Sequence, residues 1–185
     1  MESTFIKSSD IDEDNYCKIR NIKGKNLIIE ENLGEIHFIG DILLDGYIKA
    51  GICTSLEVHG KICSQEGIYL DGGDLTVHGL IKSQKNVYAN MGDIWTRGGI
   101  QCLNLHANRI NAGYDIIADS ITSSDIEAKT INSKRHLRCG GDIKADSINA
   151  YNLECSGNIY TILDLHIKKD IRINGAIFFQ KAHLS

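Results

Sequence analysis

The sequence predicts an all-β fold, a single-stranded, three-sided parallel β-helix (β-solenoid) of about nine short coils. Three observations carry that reading. An aliphatic residue followed two positions later by a small or apolar one recurs every five to seven residues for most of the chain. Gly, Asn, Ser or Thr marks the start of every third pair. The chain has 18 Gly and no Pro, as suits a parallel stack that uses the N–H of most strand residues, where Pro would delete a ladder bond.

The pair is the unit of a very short strand, because residues i and i+2 face the same way and i+1 faces the other. In chain order, residues 1–16 fit no pair and are expected as an acidic flexible tail or a cap. Cys17 with Ile19, Ile22 with Gly24, and Leu27 with Ile29 form an irregular first coil before Ile36. From Leu56 the first members run Leu56, Ile62, Ile68, Leu75, Ile81, Val87, Ile94, Ile100, Leu105, Ile110, Ile116, Ile121, Ile126, Ile131, Leu137, Ile143, Ile148, Leu153, Ile159, Leu165, Ile171 and Ile177. The residues between are mostly polar, as at Glu57, Lys82, Gln101 and Lys144, and later second members are small, as at Ala107, Ala118, Ser133 and Ala145. The predicted solenoid spans 17–179, with 180–185 as a C-terminal tail.

Corners follow from the phase residues. Gly34, Gly73, Gly92, Gly141, Gly157 and Gly175 lie two positions before a first member, and Thr54, Asn108 and Ser124 hold the same offset. These are residues that a sharp corner accepts. An acidic or amide residue often follows, as in Asp74, Asp93, Asp142 and Asn158. Marked starts from Ile36 to Ile177 are separated by 20, 19, 19, 16, 16, 17, 16 and 18 residues, by subtraction. Three pairs fill each step, one turn of a three-sided solenoid, and nine coils at the strand spacing make a body about 40 Å long.

Charge and composition exclude several classes of function. Residues 1–16 carry Glu2, Asp10, Asp12, Glu13 and Asp14 against Lys7, a net of −4 that equals the whole chain's. The remaining body is neutral, so no basic stripe awaits nucleic acid. No run approaches the about 18 apolar residues of a membrane span, and no secretory leader is legible, so a cytoplasmic location is expected. The six Cys lack metal spacing. Cys102, Cys139 and Cys155 fall in the small inward slot and read as reduced thiols acting as little hydrophobes. His59 and His78 sit 19 residues apart and stack at one corner. Two ligands alone rarely hold zinc, the equivalent slots offer only Ile39 and Arg97, and His37, His106, His136, His166 and His183 are not expected to join them. No metal, cofactor or catalytic residue is therefore expected. Short corners leave little material to wall a substrate pocket, and the mixed outward row Glu57, Thr76, Trp95, Asn111, Glu127, Lys144, Tyr160 and Phe178 lacks the repeated Thr of an ice-binding face. Tyr69 with Tyr88, and Asn132 with Asn149, are expected to stack between coils.

Repeated segments such as Gly73-Asp74-Leu75-Thr76-Val77-His78-Gly79-Leu80-Ile81 and Gly141-Asp142-Ile143-Lys144-Ala145-Asp146-Ser147-Ile148 resemble the bactofilins over about residues 34–177. The resemblance implies a right-handed β-helix, which the general right-handed bias of parallel crossovers also favours. It further implies nucleotide-free, end-to-end assembly into non-polar cytoskeletal filaments, often beneath the membrane, with a membrane-associated or envelope protein as a further partner. The family has no catalytic residues to transfer. Two features depart from it: a longer body and the lack of Pro-containing flanks. Uncapped strand edges also favour self-assembly, through Ile19, Ile22, Leu27 and Ile29 at one end and Ile171, Ile173, Ile177 and Phe179 at the other. The alternative is a capped, monomeric or dimeric rod that binds a protein or glycan partner, as a bacterial effector would.

Overall fold

The computed structural model describes residues 2–179; the expected tail at 180–185 and His183 lie outside them. The chain winds as a parallel β-solenoid of about nine turns, with no α-helix among the described residues and one 3-10 turn at Ser8–Asp10. Three ladders of parallel strands make three faces. The first face stacks Ile36, Leu56, Leu75, Ile94, Ile110, Ile126, Ile143, Ile159 and Ile177 in register. The second stacks Ile22, Ile42, Ile62, Ile81, Ile100, Ile116, Ile131, Ile148 and Leu165. The third begins with Thr4 on Leu27 and continues through Ile48, Ile68, Val87, Leu105, Ile121, Leu137 and Leu153 to Ile171. Every first member from Leu56 on lies on one of these ladders, as do Ile22, Leu27 and Ile36, but the expected pair Cys17–Ile19 forms no strand, because Cys17 bridges back to Ile11 in the closing segment.

The interior is a column of mostly aliphatic side chains, and it narrows along the chain. On the first face the second inward position runs Phe38, Val58, Val77, Thr96, Ala112, Ala128 and Ala145, all buried. Coils of 19 to 20 residues enclose the large residues and coils of 16 to 17 the small ones, by subtraction along the first ladder. The shorter coils lose their corner residues, so pairing runs through the corners in long bent strands such as Asp125–Cys139 and Ile143–Cys155. Fewer backbone atoms per turn leave less width inside, and close packing then admits only Ala, Ser, Thr or Cys.

Polar groups in the narrow slot are satisfied by corner carbonyls. Ser123 donates to the Asn108 carbonyl at 2.9 Å, Cys139 to that of Ser124 at 3.0 Å, and Cys155 to that of Gly141 at 3.2 Å. The thiols therefore repeat the role of the serine hydroxyl above them. Burial pushes the Cys102 and Cys139 thiols up to about 12, where they stay protonated and unreactive. All six Cys are free.

The corner before the first face carries a second ladder. The backbone N–H of Asp93 donates to Asp74 Oδ1 at 2.8 Å, that of Arg109 to Asp93 at 3.1 Å, and that of Asp142 to Asp125 at 2.8 Å. Asn158 then donates to Asp142 at 2.7 Å, and Ala176 to the Asn158 side chain at 3.0 Å. Each is a side chain of one coil capping the N–H of the next, a bond worth about 1.5–3 kcal/mol when the acceptor is charged. Where Gly precedes the capping residue, as at Gly73, Gly92, Gly141 and Gly157, the coils touch closely, whereas Ser124 holds that place before Asp125. A Cβ on Gly92 would stand 2.1 Å from the Gly73 carbonyl oxygen.

The two ends of the rod differ. Residues 2–17 close one of them. Thr4–Ile6 pairs with Leu27–Ile29 as one more strand, the 3-10 turn follows, and Ile11 makes an antiparallel bridge to Cys17 and packs on the core. Ile6, Cys17 and Ile22 are consequently at most 3% exposed although no coil lies above them. At the other end, inward positions of the last coil stand open: Ile171 is 48%, Ile177 39% and Phe179 53% exposed. No helix of the described residues is long and apolar enough to cross a membrane.

Candidate functional site

Outward residues of the wide coils gather three imidazoles around one carboxylate. Glu57 is the outward residue of Thr54–Val58, and in-register pairing puts His37 of Gly34–Phe38 directly beside it. His59 and His78 occupy the corner that follows, stacked with ring centroids 4.7 Å apart and 14° between planes. His78 Nε2 lies 2.6 Å from Glu57 Oε1, His37 Nδ1 2.7 Å from Oε2, and His59 Nε2 3.8 Å from Oε1. The ligand atoms of His37, Glu57 and His59 all lie within 4.8 Å of one another. Tyr16, bridged to His37 by the residues that close the rod, sets its ring 4.9 Å from the imidazole. Trp95 approaches His78 edge-on from the next coil.

The electrostatics favour an ionised carboxylate. Partial burial pushes the Glu57 carboxyl up, but the His78 hydrogen bond and the charges of His37, His59 and His78 together outweigh it and hold the group below its usual range. One atom is poorly served. His37 Nδ1 is buried and makes no directed hydrogen bond, because Glu57 Oε2, though 2.7 Å away, lies off the line of the ring nitrogen.

His59 and His78 stack as expected, but the expectation that His37 stays apart is overturned. The reason is the ladder itself. Counting 20 residues back from Glu57 along the outward row of the first face lands on His37, so the third imidazole comes from a strand rather than from the corner where Ile39 and Arg97 were considered. That arithmetic was available in the sequence. The Tyr69–Tyr88 pair forms edge-on at 5.8 Å, and Asn132 pairs in register with Asn149.

The residues expected at the rod's joining surfaces divide by end. Ile22, Leu27 and Ile29 are buried within the chain itself, beneath the strand Thr4–Ile6 and its following turn, while Ile19 is partly exposed on the outside. A joining surface made of these three is therefore closed in this state. Ile171, Ile177 and Phe179 are exposed together on the last coil, with Ile173 half-buried beside them. Ile162, Leu163 and Phe178 add exposed apolar surface around that end; Ile162 and Leu163 went unnoticed because they fall outside the pairs, where the register shifts between Ala145 and Ser147.

Compared with protein-family models, with curated proteins and with solved structures, the chain matches none. Fold and site define it as a parallel β-solenoid with one closed and one open end and a histidine–glutamate cluster on its wide half.

Proposed function

We propose that this chain is a non-catalytic structural rod that joins a second copy of itself through its open last coil, as the unit of a bactofilin-like scaffold. The single observation that carries this reading is the exposure of Ile171, Ile177 and Phe179, inward-facing positions whose counterparts are buried in every earlier coil. An open coil presents unpaired strand N–H and C=O groups beside a cut apolar core, and both seek a partner. The opposite end is closed, so head-to-tail stacking has no acceptor. Two open ends facing each other across a twofold axis are self-complementary, and this is the first step of a non-polar filament. Growth beyond a pair requires residues 2–16 to lift and uncover Ile22, Leu27 and Ile29.

The rival reading is a single rod that binds a protein or glycan along its faces, and the closed end is what favours it. Light scattering coupled to size exclusion separates the two. The pair predicts twice the 20.5 kDa chain mass, falling to one chain mass in an I171D/F179D variant that keeps its β circular dichroism. A wild-type protein that elutes at one chain mass at every concentration rejects the self-association reading.

A further inference from the structure

We propose that His37, Glu57 and His59 form a binding site for one divalent transition-metal ion of the zinc class, with His78 steadying the carboxylate from the far side. The donors are suitable in kind and number. Two imidazoles and one carboxylate make a three-ligand zinc set that leaves a fourth position for water. They are also suitably placed. Ligand atoms of a tetrahedral zinc centre stand about 3.3 Å apart when the bonds are about 2.0 Å. Here His37 Nδ1 and His59 Nε2 lie 2.7 and 3.8 Å from the nearer Glu57 oxygens, so rotations of the side chains alone bring them to that spacing.

A second observation points to a cation. His37 Nδ1 is buried and without a directed partner, yet it faces a carboxylate oxygen at 2.7 Å. The ring nitrogen and the carboxylate oxygen thus lie side by side with no directed bond between them. A metal ion held between them satisfies both. His78, 2.6 Å from Glu57 Oε1, supplies the outer contact that orients a ligating carboxylate, and its stacking on His59 limits the rotation of that ring. His59, 36% exposed in its side chain, leaves the site open to solvent.

The location gives the ion a structural consequence. His37 lies against Tyr16 in the segment that closes the rod, whereas Glu57 and His59 belong to the following coil. A bound ion therefore ties two adjacent coils together beneath the closed end, and binding to the folded state alone raises stability.

The test uses the full chain, freed of metal by a chelator and titrated with Zn2+ by calorimetry, with thermal melting alongside. One Zn2+ per chain and a higher melting temperature in its presence are expected. H59A should weaken binding by about tenfold or more while leaving the metal-free melting temperature nearly unchanged. H37A should weaken it similarly, and H106A, on another face, should have no effect. The proposal is overturned if Zn2+ does not bind, if H59A binds as tightly as wild type, or if binding is lost instead in a C53S/C63S variant, whose thiols are the accessible ones.

Discussion

The two ends of this rod are built from the same kind of coil and have opposite fates. At one end Ile6 and Ile22 are sealed by a non-repeating segment that adds one strand, turns at Ser8–Asp10 and lays Ile11 beside Cys17. At the other end Ile171 and Ile177 hold equivalent ladder positions and face solvent. The inward rows of a solenoid thus run unchanged to both ends, and only what lies over the last rung decides whether a side chain there is core or surface. The closing segment is also where the chain's net charge resides, with Asp10, Asp12, Glu13 and Asp14 in its turn. A charged lid over a strand edge discourages further pairing, and among the described residues none after Arg172 carries a charge.

The sharpest way to break this comparison is the same substitution at both ends. Ile6→Asp puts a carboxylate into a fully covered site and should cost several kcal/mol in chemical denaturation. Ile171→Asp should change the stability of the single chain by less than about 1 kcal/mol and abolish pairing. Equal destabilisation by the two would mean that the ends do not differ. Next in size, the middle of the rod separates stacking from joining. In Gly92→Ala the added Cβ meets the Gly73 carbonyl at 2.1 Å, so the coils must part locally, at about 1–3 kcal/mol. Mass by light scattering should be unaffected, since both ends remain intact.

The smallest effect depends on pH. Burial pushes the Asp93 carboxyl up, but hydrogen bonds from the Arg109 and Asn108 side chains, with the Arg109 charge and backbone N–H, hold it below its ordinary 3.8. A depressed carboxyl stabilises fully above its unfolded value and loses that contribution as pH falls through the folded one. Asp93→Asn keeps an oxygen for the Arg109 N–H and removes the charge. It should cost about 0.5–1 kcal/mol at pH 7, with the gap from wild type closing below pH 3.8 and pairing unchanged.

Most of the fold was legible because a solenoid repeats one local rule. Alternation across each strand assigned Leu56, Ile62 and Ile68 to three different faces, and spacing alone then fixed their neighbours. The acid after each corner Gly was visible as a pattern, although its use as a cap for the next coil's N–H needed coordinates. For residues 1–16 a cap was one of two expectations, but the strand Thr4–Ile6 was not legible, because it is three residues long and its partner, Leu27–Ile29, is set by position at the end rather than by repetition. The burial of Ile22 and Leu27 follows from that segment. His37 was missed for a different reason. Its place beside Glu57 obeys the same ladder rule, but it was grouped with the histidines of other faces instead of being counted back along its own outward row.

Electron microscopy of the protein carrying a compact tag at its N-terminus tests the central claim most directly. Joining through the open coils predicts rods about twice the single length of about 40–45 Å, set by the strand spacing, with a tag at each extremity. Single-length rods, or doubled rods with a tag at the junction, contradict it.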